Sequence, residues 1–99
     1  VGGVKLSETG ADLAVLAAII SSLRNRPVPR DWVLFGEVGL TGEIRPVQAG
    51  EERIHDAAKH GFSHAIVPSA NAPRKPIKGM KVIPVQHLSE AIEALKQAD

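Results

Sequence analysis

A small set of side chains in this sequence could do chemistry, and their spacing limits what that chemistry is. Four histidines, His55, His60, His64 and His87, include no H-x-x-x-H pair with a glutamate between. His55 and His60 are five residues apart, about 140° around a helix, so they diverge and read as solvated or capping groups, not metal ligands. Glu37 and Glu43 flank a glycine-rich turn and could pair as a general acid and base, although charges solvating an exposed hairpin edge explain them better. Two basic clusters remain, Arg24, Arg26 and Arg30 around a proline connector and Arg74, Lys75, Lys78 and Lys81 in a later loop. Phosphate contact needs only such charges, and solvated loops carry them too. Trp32, Phe35 and Phe62 all fall at expected core positions, so a nucleic-acid partner would be gripped by its backbone.

Other chemistry is excluded outright. The chain has no cysteine, which removes disulfides, thiolate nucleophiles and thiolate metal sites. Neither G-x-x-x-x-G-K-[ST] nor G-x-G-x-x-G occurs, so no phosphate cradle of those kinds is present. Gly36, Gly39 and Gly42 are spaced for a turn, with no helix behind the last of them. Twelve basic residues against eleven acidic ones leave a net charge of +1, which announces no polyanionic partner in bulk. The longest apolar run, LAVLAAII, is far short of a membrane span, and a cytoplasmic protein is expected.

The elements that must position these groups fit one domain of 99 residues with 43% hydrophobic content. VGGVKL reads as a strand that begins abruptly, which suggests a piece of a longer chain. Thr9 followed by Asp12 resembles a capping box for a helix over roughly 10 to 24, mostly buried, with Leu13, Leu16, Ala17, Ile20 and Leu23 on one face. Pro27 and Pro29 stop it. DWVLFGEV and GEIRPV are expected as strands joined in a hairpin at Gly39–Gly42. A second helix follows from about Gly50, with Ile54, Ala57 and Ala58 at helical spacing and Gly61 as its stop. HAIVP and MKVIPV are strands, and Leu88, Ala91, Ile92 and Leu95 mark a closing amphipathic helix. The expected architecture is an α/β (α+β) two-layer sandwich with helices on a mixed sheet.

FGEVGLTGEIRPV, ERIHDAAKHGF and AIVP, together with VGGVKL and SLRNRPVP, carry a resemblance that covers essentially the whole chain. They are similar to the carboxy-terminal Lon-protease-like domain of the RadA (Sms) family of bacterial DNA repair proteins. The resemblance implies a Lon proteolytic-domain-like fold, of the ribosomal protein S5 domain 2-like kind, over residues 1 to 99. It also implies that the N-terminal part of the domain and an ATPase core lie outside this chain. In active Lon peptidases the framework carries a serine at the start of the first helix and a lysine at the start of the second. A desolvated, neutral lysine takes the serine proton. Laid over that framework, the serine position falls on Gly10 and the lysine position on Glu51. Both halves of the dyad are then missing. Ser7 lies three residues upstream, and Ser21 and Ser22 lie roughly 16 Å along the helix. Asp12 would oppose an oxyanion at the helix start.

The function implied by the resemblance is a non-proteolytic scaffold, an oligomerisation and DNA-contacting domain of a RadA-type ATP-dependent repair and recombination (branch migration) protein. Its implied partners are further copies in a hexameric ring, single-stranded or branched DNA, and a recombinase, with no membrane. Arg24, Arg26, Arg30, Arg45, Arg53 and Lys59 are the expected phosphate contacts. No cofactor is expected in this chain, while ATP, magnesium and zinc are implied for the parent protein. Two rivals are a Ser/Lys-type ATP-dependent endopeptidase domain and a purely structural oligomerisation domain without DNA contact.

Overall fold

Three consecutive apolar residues, Ala65, Ile66 and Val67, are all 0% exposed, and they decide the architecture. A strand apolar at successive positions must be covered on both faces. In the computed structural model, which describes residues 9–98, this strand is the middle of a three-stranded parallel sheet. The strand expected at VGGVKL and Ser7 lie outside the described residues. The sheet runs β1 (Trp32–Leu34), β4 (His64–Pro68), β5 (Lys81–Val85), and a two-stranded antiparallel ribbon is made by β2 (Glu37–Val38) and β3 (Ile44–Arg45). Parallel and antiparallel pairing are both present, but in separate sheets.

Ile66 packs with Leu34 and Val85 against Leu13 and Ala17 of α1 (Asp12–Leu23) and Ala91 and Leu95 of α3 (Leu88–Gln97). Ala65 and Val67 point the other way, toward Phe35 and Ile54 of α2 (Gly50–Lys59). Helices therefore cover both faces of the sheet, one layer more than the two expected.

The single strand expected over 31 to 38 is broken in two. Phe35 is buried, and Gly36, at φ +148°, turns the chain out of the parallel sheet and into the ribbon. A β-carbon at Gly36 would stand 3.1 Å from Ile44 and 3.2 Å from Pro68, so glycine is needed for space as well as for conformation.

The start of α1 also differs from expectation. A 3₁₀ turn, Thr9–Ala11, precedes it, and Ala11 at the N-cap makes no side-chain cap. The Asp12 carboxylate instead accepts the Val38 amide at 3.2 Å, tying the helix to the ribbon. Only the stripe Leu13, Ala17 and Ser21 is buried, whereas Val15, Ile19 and Leu23 are 55%, 51% and 83% exposed. The helix is apolar all round, yet the sheet can cover one side only.

The later elements follow the sequence more closely. α2 enters through Ala49 at φ 58° and stops at His60 and Gly61, the latter at φ +90°. Its approach is held by Asn71, whose side chain accepts the Val47 amide at 2.8 Å and donates to the Val47 carbonyl at 3.0 Å. α3 begins in a capping box, with His87 Nδ1 accepting the Ser89 amide at 3.1 Å and Glu90 accepting the His87 amide at 3.1 Å.

Candidate functional site

At the start of α1, Gly10 is buried, and its carbonyl accepts the Gly36 amide at 2.9 Å. The Gly36 carbonyl in turn accepts the Leu13 amide at 3.0 Å. With Asp12 bonded to Val38, three backbone groups of the β1–β2 corner close over this helix start. Position 10 presents backbone only. Glu51 is exposed in the first turn of α2, 3.7 Å from His55, and it lines a shallow groove with Asn71, Arg74 and Lys75. Neither position offers a nucleophile or its base. Lys59, Lys75, Lys78, Lys81 and Lys96 are all exposed, so none of these lysines lies in the desolvated setting that a Ser/Lys dyad uses.

A hydroxyl beside an imidazole does occur elsewhere. Ser63 Oγ lies 2.7 Å from His64 Nδ1 and donates to the Asp31 carboxylate. That hydroxyl bond is the main cause holding the Asp31 carboxyl below its ordinary range. The order is Asp–Ser–His, however, with acid and imidazole both on the serine oxygen. A hydrolytic triad needs the acid on the far nitrogen of the imidazole. An alkoxide here would form against a carboxylate, so the cluster is a structural clamp. Sequence reasoning passed over it because Asp31 and Ser63 are far apart in the chain; the available signal was that each stands immediately before a strand.

The basic residues singled out from the sequence are dispersed. Arg24 is half-buried at the C-cap of α1, Arg26 is exposed, and both line a groove with Asn25 and Pro27. Arg30 is exposed in the connector that follows. Arg45 lies on the ribbon, 2.6 Å from Glu43 and 3.9 Å from Glu37. Arg53 sits over the Phe35 ring at 5.8 Å, and Lys59 is exposed in the last turn of α2. α1 and α2 cover opposite faces of the sheet.

Glu43 is held as a carboxylate. The Thr41 hydroxyl, the backbone around it and the Arg45 guanidinium depress its carboxyl to about 2, far from the range of a general acid. Glu37 pairs with Arg45 across the ribbon. His87 and His60 both serve helix ends, His60 Nδ1 lying 2.7 Å from the Asp56 carbonyl. Among the described residues no three histidine or acidic side chains converge on a possible metal position. No helix among the described residues is long and apolar enough to cross a membrane.

The fold is an α/β domain with parallel and antiparallel strands, and relatives place it further. The chain belongs to the family described as subunit ChlI of Mg-chelatase, whose family model matches residues 2–71. It is similar to the DNA repair protein RadA of Salmonella typhimurium, 64% identical over 92 residues, 93% of this chain and 20% of that protein. RadA of Escherichia coli is 63% identical over 92 residues, with the same coverage. RadA of Aquifex aeolicus is 47% identical over 94 residues, covering 95% of this chain and 21% of that protein. The chain thus spans about a fifth of the length of the curated relatives it matches.

Proposed function

We propose that this chain is a non-proteolytic, Lon-like scaffold domain of a RadA-type DNA repair and recombination protein, joining copies of the protein and contacting DNA. The observation that carries the reading is the start of α1, where Gly10 and Asp12 are bonded into the β1–β2 corner and leave no attacking group among the described residues. A framework filled in this way serves as a support surface. Strong similarity to proteins named DNA repair protein RadA supports the rest.

Assembly uses the outer stripe of α1. Val15, Ile19 and Leu23 recur every fourth residue along the helix, and Leu40 at the ribbon tip is fully exposed. Burying each such side chain against a second copy is worth about 1.5–3 kcal/mol, enough to favour association when several act together. DNA is met by Arg24, Arg26 and Arg30 at the end of that helix, with Arg45, Arg53 and Lys59 as secondary contacts. ATP, magnesium and zinc belong, in this reading, to the remaining length of the parent protein, as does contact with a recombinase.

The test uses the full-length protein. Arg24→Ala with Arg26→Ala should weaken binding to branched DNA and lower the dependence of log K on log salt by about one for each arginine. Unchanged binding would remove these residues from the interface. Casein should remain intact on incubation with the protein and ATP, and hydrolysis abolished by a serine substitution would overturn the scaffold reading.

A further inference from the structure

The first residues of the three parallel strands stand in one row, Trp32 opposite His64 and His64 opposite Lys81. Strand alternation puts this row on the face shared by Leu34, Ile66 and Ile83, under α1 and α3. The Leu34 and Ile66 row is buried, but the first row runs past the end of the helical cover. There it floors a groove of about 520 Å³, walled by Pro29 and Ile83 and by Ala94, Gln97 and Ala98 at the end of α3.

The floor is aromatic and cationic. The Trp32 and His64 rings stack at 4.6 Å between centroids and 8° between planes. His64 is fixed from behind: Ser63 gives its hydroxyl proton to Asp31, so His64 Nδ1–H donates to Ser63 Oγ. His64 Nε2 is left without a hydrogen bond among the described residues. Lys81 is exposed and has no carboxylate within ion-pair distance among the described residues. The Asp31 carboxylate does not line the groove.

We infer that this groove binds an unpaired nucleic-acid strand, with one base stacked on the Trp32–His64 pair and an adjoining phosphate on Lys81. The volume suits a nucleotide-sized ligand. Stacking on a protein aromatic requires a base released from a duplex, so the site discriminates single strands from double strands. Trp32 is thereby a surface residue as well as a core one, in contrast to the buried position expected from the sequence. The inference rests on the DNA-contacting reading above but uses residues that reading does not.

The test measures binding of a fluorescein-labelled thirty-mer of oligo-dT and of a mixed-sequence thirty-base-pair duplex to the full-length protein. Lys81→Gln, an exposed substitution that leaves the fold intact, and His64→Gln should each weaken oligo-dT binding at least about fivefold. Trp32→Phe should retain most of it, and the duplex should be affected less than about twofold. Photocrosslinking with 5-iododeoxyuridine in the oligonucleotide should label the peptide containing Trp32 or His64. Wild-type oligo-dT affinity in both the Lys81 and His64 variants would overturn the groove while leaving the DNA-contacting reading intact. Equal losses for duplex and single strand would overturn base stacking. Failure of the unaltered protein to bind either DNA would overturn both the groove and that reading.

Discussion

Gly10 and Gly36 are joined through their backbones, the Gly36 amide donating to the Gly10 carbonyl at 2.9 Å while its own carbonyl accepts from Leu13. This contact ties the start of α1 to the corner where the chain leaves the parallel sheet. It depends on Gly36 holding φ +148°, with Ile44 and Pro68 pressed against the place of its missing side chain.

Gly36→Ala should therefore destabilise the domain by roughly 1–3 kcal/mol, since a side chain there is both strained and crowded. Chemical denaturation of the variant and of Gly61→Ala gives the comparison. A β-carbon at Gly61 meets nothing within 4 Å, so Gly61→Ala bears only the conformational cost and should lose less. Equal losses would mean that packing at Gly36 is unimportant.

The ribbon should respond to acid through Glu43. Its carboxyl is depressed from 4.5 to about 2, first by the Thr41 hydroxyl. A group with a depressed folded value contributes stability that is fully present above the unfolded value and is lost as pH falls through the folded one. The contribution of Glu43 should thus fade between about pH 4.5 and 2. Carbon-13 NMR titration of the carboxyl should show a midpoint near 2 in the native protein and a higher one in Thr41→Val. A native midpoint at 4.5 would refute the arrangement.

His87 links two elements at once. Its Nδ1 caps α3, so Nε2 carries the proton and donates to the Thr41 carbonyl at 2.9 Å. His87→Ala should cost about 0.5–2 kcal/mol as a lost N-cap, and His87→Asn should restore most of the helix-capping part but not the tie to the ribbon. Hydrogen exchange at Ser89 and in the 39–43 turn separates the two effects. Protection unchanged at both sites in His87→Ala would contradict this role.

Helix positions, the Gly61 stop and the hairpin were legible because they rest on local rules, namely periodicity, proline and glycine. What was not legible came from long-range pairing. FGEV reads as continuous strand until Gly36 is seen bonded to Gly10, twenty-six residues earlier in the chain. Asp12 reads as a cap until Val38 is placed beside it. The stripe of Val15, Ile19 and Leu23 looks like core because composition cannot say which side of an apolar helix the sheet covers. Trp32, His64 and Lys81 are dispersed in sequence and meet only through parallel register. The candidate dyad positions were readable as residue types, but the bonds that close over Gly10 were not.

The scaffold account stands most directly on whether the outer stripe of α1 holds copies together. The decisive measurement is the particle mass of the full-length protein in solution, by sedimentation or native mass spectrometry, for the unaltered chain and for Ile19→Glu. Ile19 is half exposed, so the charge should leave the fold and its circular dichroism unchanged. The account predicts a multi-copy particle for the unaltered protein and a shift toward single copies for Ile19→Glu. A folded Ile19→Glu variant that assembles to the same mass, or an unaltered protein that stays a single copy, would contradict it.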